Sequence, residues 1–178
     1  MEYRYYEIPA GSPVLALLGD KWVQNYGRDI DYLHFHNHLE VGFCYYGEGT
    51  VTFKEDIPFD GNMFTVIPKN FPHTTTSAGD SVSYWEWLFI DADKFLREVY
   101  KDNPRMAQKV LDRVNRRAHF VRVQDKPQIG ALVQQIIGCM RERKEFYLEE
   151  VKGLTLALLL QVARWNREEA EKTEFEAG

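Results

Sequence analysis

The chain has 178 residues, 44% of them hydrophobic, which suits one domain with a sizeable core. Its formal charge of −5 argues against a surface that grips nucleic acid by itself, because non-specific affinity for DNA comes from neutralising phosphates. Two cysteines, Cys44 and Cys139, make no disulfide framework, and Glu2, Arg4 and Glu7 interrupt any secretory core. The longest apolar run, around Leu156–Leu160, is too short to span a membrane, so no membrane role and a cytoplasmic home are expected.

The first residues are aromatic and irregular, with Tyr3, Tyr5 and Tyr6 followed by Pro9, Gly11 and Pro13, and read as an extended arm over 1–13. Strands are predicted near Val14–Leu18 and Lys21–Tyr26, where Trp22 either lines a pocket or fills the core. The stretch His34–Gly49, HFHNHLEVGFCYYGEG, follows. Residues two apart on a strand share a face, so His34 and His36 project together, with Tyr32 just before them. Glu40 opens a second strand that alternates Glu40, Gly42, Cys44 and Tyr46 on one side, and Gly47-Glu48-Gly49 makes a hairpin turn.

Met63–Ile67 reads as an apolar strand, and Pro68–Pro72 as a loop that delivers His73. Ser83–Ile90, SYWEWLFI, is a strand with Trp85 and Trp87 on one face and Glu86 on the other. Tryptophans packed under helices would turn Glu86 toward a ligand at the barrel mouth. Tryptophans facing inward would leave it a solvated surface charge.

After Asp91 helices take over, one carrying Phe95, Leu96 and Val99 and another carrying Met106, Val110, Leu111 and Val114. The basic Lys109, Arg113, Arg116 and Arg117 read as a solvated face, and His119, on a short strand, as structural or exposed. Asp125 is expected to cap a helix that begins with Pro127 and carries Ile129, Val133, Ile136 and Met140. A last helix begins near Phe146, and its stretch LTLALLLQVA is apolar nearly all the way round. One face meets its own domain, and the other calls for a cover. A second copy packed through Leu154, Leu158, Leu159, Val162 and Trp165 supplies that cover; the preceding helix and the barrel are the alternative. The charged end from Arg167 on is expected to fray.

Two motifs carry a family resemblance. His34-x-His36-x3-Glu40-x6-Gly47 resembles the first cupin motif, and Gly61…Pro68-x-Asn70-x2-His73 the second. All four metal-ligand positions match, whereas the scaffold glycines drift: six residues separate Gly27 from His34, and Asn70 takes a glycine place. That drift, with the helices that follow, resembles the sensory cupins of the AraC family of transcription regulators. The resemblance implies a mainly β chain with C-terminal helices: a cupin-type double-stranded β-helix (jelly-roll) barrel over 1–124, with a helical insertion at about 92–117. A helical dimerisation pair over 125–168 and a linker or terminus over 169–178 would follow.

The function so implied is sensing of a small polar ligand, such as a sugar, inside the barrel by a homodimer. DNA would be bound through a domain beyond this chain. The ligand would meet His34, His36, Glu40, Tyr46, His73, Tyr32, Trp22 and Glu86, with the tyrosine-rich arm lying across the pocket or packing as an edge strand. Three histidines and a carboxylate, His34, His36, Glu40 and His73, are also a donor set for Zn, Ni, Mn or Fe. That set keeps a metal-dependent cupin enzyme, of dioxygenase or isomerase type, as the rival reading.

Overall fold

The computed structural model describes residues 1–24 and 33–177. The strands are β1 (Glu2–Arg4), β2 (Val14–Leu17), β3 (Val23–Gln24), β4 (His34–His36), β5 (Leu39–Tyr46), β6 (Gly49–Thr52), β7 (Asp56–Phe59), β8 (Met63–Val66), β9 (Thr74–Ser77) and β10 (Ser83–Ile90). Helices α1 (Ala92–Val99) and α2 (Pro104–Val114) come next, then β11 (His119–Arg122), α3 (Pro127–Glu142) and α4 (Tyr147–Ala177).

One sheet runs β11-β8-β5-β10-β2, with β3 also paired to β10. A second layer is built from β7-β6-β9 and from the parallel pair β1-β4. These two pieces join where His34 and His73 exchange backbone hydrogen bonds of 2.8 and 2.9 Å. Alternation along β5 and β10 decides which side chains lie between the layers. Trp85, Trp87, Phe89, Cys44 and Met63 from the first sheet meet Val51 and Phe59 from the second. On the other face of the first sheet, Val41, Phe43, Phe64, Leu88 and Ile90 pack against the helices. The result is the expected jelly roll, with helices layered on one of its two sheets.

Two glycines are fixed by this packing. A Cβ at Gly42 would run into the Trp87 ring, so the indole lies flat on bare backbone. Gly47 turns the β5–β6 hairpin at φ 107°, where a Cβ would stand 2.6 Å from the Cα of Ser83.

Caps set the helix starts. Asp91 accepts a hydrogen bond from the Lys94 N–H at 3.1 Å, and Asn103 accepts from Met106 N–H at 3.2 Å with Pro104 in the first turn. Lys126, and not Asp125, precedes α3, because Val123–Asp125 is wound into a short 3-10 turn. α4 is 31 residues long and does not fray after Arg167; it continues to Ala177.

The last helix also corrects the expected interface. Leu158, Leu159, Val162 and Trp165 are buried within the single chain, in the core shared with α2, α3 and the sheet. They have no surface left for a second copy. Only Leu154 of the five is part-exposed. For the other four residues the cover comes from the chain itself, while Leu154, Leu156, Ala157 and Leu160 stay part-exposed.

Candidate metal centre

His34 and His36 point from β4 to the same side, and Glu40 from the start of β5 joins them. The backbone exchange between His34 and His73 lays the fourth residue beside the first, while Glu40 is tied through its own backbone to Ile67, the end of the strand leading to His73. The three imidazole centroids lie 4.4 to 5.0 Å apart. One ligand atom from each of the four residues falls within 4.8 Å of the others, and all four side chains are buried. The sequence motifs and the geometry select the same four residues.

Their hydrogen bonding fits an ion. His73 Nδ1–H donates to the Phe71 carbonyl at 2.8 Å, which leaves Nε2 as a lone pair facing the cluster. His36 Nε2 stands 2.8 Å from Glu40 Oε2, and His73 Nε2 3.4 Å from the same oxygen. Neither contact has the alignment of a hydrogen bond, and both nitrogens are buried with no such partner, as is Nδ1 of His34. Buried polar atoms seldom go unpaired. Several converging on one point are what a divalent cation satisfies, and the His3Glu set suits Zn, Ni, Mn or Fe.

The charge states agree. Burial, reinforced by the neighbouring His73, pushes His34 down to about 3, so it is neutral at pH 7. Burial alone would raise Glu40, but His36 and His73 beside it more than offset this and hold it below the usual carboxylate range. A neutral imidazole and a carboxylate are the forms that ligate. A cation held there would polarise an oxygen of a bound small molecule.

The N-terminal arm closes over this cluster. β1 is an edge strand on β4, and Tyr6, just beyond it, turns inward. Its ring stacks on Phe89 at 3.9 Å and meets the edge of His36 at 5.7 Å. Asn37 holds the turn by accepting from Tyr6 N–H at 3.0 Å and donating to Tyr6 O at 2.9 Å. Both readings of the arm therefore apply, each to a different residue. Asn37 and Phe89 are site residues that the motifs do not name; Phe89 shares the inward parity of Trp85 and Trp87 and stands opposite Glu40.

Other expected ligand residues fall differently. Trp22 packs against the interior cluster. Tyr32 lies outside the described residues. Tyr46 is 48% exposed and not in the interior, because the ladder between β5 and β10 shifts by one residue after Cys44 and reverses the parity. It stands beside Tyr84 on the outer face, with ring centroids 5.8 Å apart. Glu86 is neither a pocket ligand nor a solvated charge. The tryptophans face inward, and Glu86 is fully buried on the helix side, where Arg141 of α3 meets it. Tyr45 donates to it at 2.5 Å and the Gly19 N–H at 2.9 Å. His119 is structural: it hydrogen-bonds Asn166 of α4 and stacks on Trp165 at 3.5 Å.

No protein-family model matches this sequence, and no curated protein matches it. Solved structures do resemble it, and the neighbours include AraC-like regulators, ToxT and CuxR, and cupin proteins. An apo ToxT variant from Vibrio cholerae strain SCE256 shares 14% identity at a TM-score of 0.55, over 88% of this chain and 58% of that one. The AraC-like transcriptional activator CuxR shares 12% identity at a TM-score of 0.43, over 73% of this chain and 42% of the other. A cupin protein from Bacteroides fragilis shares 16% identity at a TM-score of 0.34, over 43% and 61%. At these identities the likeness is one of fold, and this chain spans little more than half the length of ToxT.

Proposed function

We propose that this chain is the small-molecule-sensing and dimerising domain of an AraC-like transcription regulator. In this reading a small polar ligand, a sugar or sugar derivative, binds inside the barrel at His34, His36, Glu40 and His73 under the Tyr6 cover. Trp22 contributes from the barrel wall, and Tyr32 stays in the proposal as a ligand contact expected from the sequence. DNA binding is carried by a domain beyond this chain, and the protein works in the cytoplasm. The observation that supports the reading best is the likeness of fold to ToxT, which extends over barrel and helices together. The homodimer stays part of the proposal, through the part-exposed stripe of Leu156, Ala157 and Leu160 on α4 joined by Leu154, in place of the buried leucines.

A ligand that binds the closed-arm state better than the open one would bias the arm, and through it the arrangement of two copies. The test is a thermal-shift titration of the purified chain with a panel of sugars and sugar acids. A saturable rise that is lost in His36→Ala supports sensing. The second reading, a metal-dependent cupin enzyme of dioxygenase or isomerase type, rests on the complete His3Glu set. Oxygen consumption or substrate isomerisation by the metal-loaded chain, with no ligand shift, would move the conclusion to that reading.

A further inference from the structure

Away from the four ligands, a groove of about 730 Å³ opens where the β6–β7 hairpin, the loop before β9, the α2–β11 connection and α4 come together. That volume falls in the range of small-molecule sites. Part of the lining is apolar. Half-buried Phe53, Ile57 and Phe71 form it, the two phenyl rings set edge to face at 5.9 Å and 82°. An aromatic ring packs best against such a lining, because offset and edge contacts between rings add to the area buried.

The same lining is rich in cations. Lys126 holds its ammonium 4.9 Å from the Trp165 ring centroid, which fixes an otherwise mobile charge at the groove. Arg116 and Arg117 come from the α2–β11 connection, and Lys54 from the hairpin. Three acids, Glu55, Asp125 and Glu169, share the lining, so four cations face three anions, a net +1 in a chain of net −5. Glu169 is already engaged, with Arg117 at 3.7 Å and Lys172 at 3.5 Å. Among the described residues no ion pair is made by Arg116, Lys126 or Lys54. The local charge that remains available is positive.

We propose that this groove is a binding site for a small aromatic carboxylate, its ring against Phe53 and Phe71 and its carboxylate between Arg116 and Lys126. Planar guanidinium and a pinned ammonium together select an acid over a neutral ring. The site reaches the metal centre through one residue: Phe71, which lines the groove, supplies the carbonyl that orients His73. It stands on this groove alone and does not depend on the sensing reading.

Isothermal titration of the purified chain with 2-naphthoate, and with neutral 2-naphthamide as comparator, tests it. The expected result is saturable one-to-one binding of 2-naphthoate, with 2-naphthamide about tenfold weaker or more and the difference shrinking as salt is raised. Arg116→Glu, at an exposed position that leaves folding intact, lowers affinity for 2-naphthoate about tenfold, and adding Lys126→Glu lowers it further. Lys94→Glu, an exposed charge reversal in the separate groove beneath the N-terminal segment, leaves binding unchanged. Equal affinity for the acid and the amide, indifference to both charge reversals in the groove, sensitivity to Lys94→Glu, or no saturable binding would overturn the proposal.

Discussion

The guanidinium of Arg141, near the end of α3, reaches the fully buried carboxylate of Glu86 in the middle of β10. Burial by itself would raise the Glu86 pKa, but Arg141, Tyr45 and the Gly19 N–H more than offset this and hold it below 4.5. Tyr45, the donor on the other side, is pushed up in turn, first by burial and then by the carboxylate, and stays protonated. The cluster ties three parts of the chain together: the sheet, the C-terminal end of α3, and the loop at Gly19 that leads to Trp22.

Removing the partner of a buried charge costs more than the pair contributes, since that charge is stranded; here only Glu86 is buried and Arg141 is half-exposed. Arg141→Met is therefore expected to lower stability by about 2 kcal/mol, the scale of a hydrogen bond to a charged group, because Tyr45 and Gly19 still serve Glu86. Urea denaturation checks this. Because the folded pKa of Glu86 is depressed, its contribution is present above pH 4.5 and is lost as pH falls below that value. A loss near zero at pH 7 would mean that solvent already serves the carboxylate.

Metal loading should depend on all four donors. The chain prepared without a histidine tag and incubated with Zn²⁺ or Ni²⁺ is expected to retain about one ion per chain after desalting, and His73→Ala or Glu40→Gln to retain none. At a free metal concentration of about 100 times Kd, the wild type gains about 2.7 kcal/mol of stability, and EDTA reverses it. Elemental analysis and thermal scans read both effects. Retained metal in the variants would place the ion elsewhere.

Acid should loosen the join between β11 and α4. Burial drives the His119 pKa down to about 4 in the folded chain, against 6.5 when free. The unfolded chain takes up the proton first, so stability falls as pH drops through 6.5 and goes on falling to about 4, by about 2 kcal/mol at pH 5. His34, also depressed, adds to the slope in the wild type. The His119 share is the part that disappears in His119→Gln, and unfolding curves at pH 7 and pH 5 for the two proteins isolate it.

Tyr6→Ala removes the ring stacked on Phe89 and opens the cover over His36. Stability should fall by about 2 kcal/mol, the lower part of the range for large-to-small changes, since the ring is only half-buried. Release of Zn²⁺ to a chelator should accelerate, whereas the amount bound at saturation stays the same. Unchanged release would mean that the arm does not control access to the cluster.

The dimer has its own check. Leu160→Glu on the part-exposed stripe of α4 is expected to convert a dimer to monomers in sedimentation velocity without unfolding the chain. A wild-type chain that is monomeric at high concentration removes dimerisation from the proposal.

Local rules carried much of the site. Two-residue spacing on a strand placed His34 beside His36, a glycine turn closed β5 onto β6, and the loop after Ile67 delivered His73. Each depends on a few consecutive residues and so could be read directly. Parity carried less far: it put Cys44 inside, but one shifted residue at the end of β5 sent Tyr46 out, and nothing in the letters CYYG marks that shift. The apolar stretch in α4 announced that one face meets its own domain, as Leu158, Leu159 and Val162 do, and that the rest calls for a cover. Whether the cover is a second copy or the same chain depends on how α2, α3 and the sheet come together around it. Glu86 shows the same division. Its strand was legible, but its partner lies 55 residues away on α3, and only the packing of that helix against β10 makes a buried charge tolerable there. Periodicity and turn chemistry act over a few residues and are written in the sequence; long-range pairing depends on which surfaces meet, and the tertiary structure alone decides that.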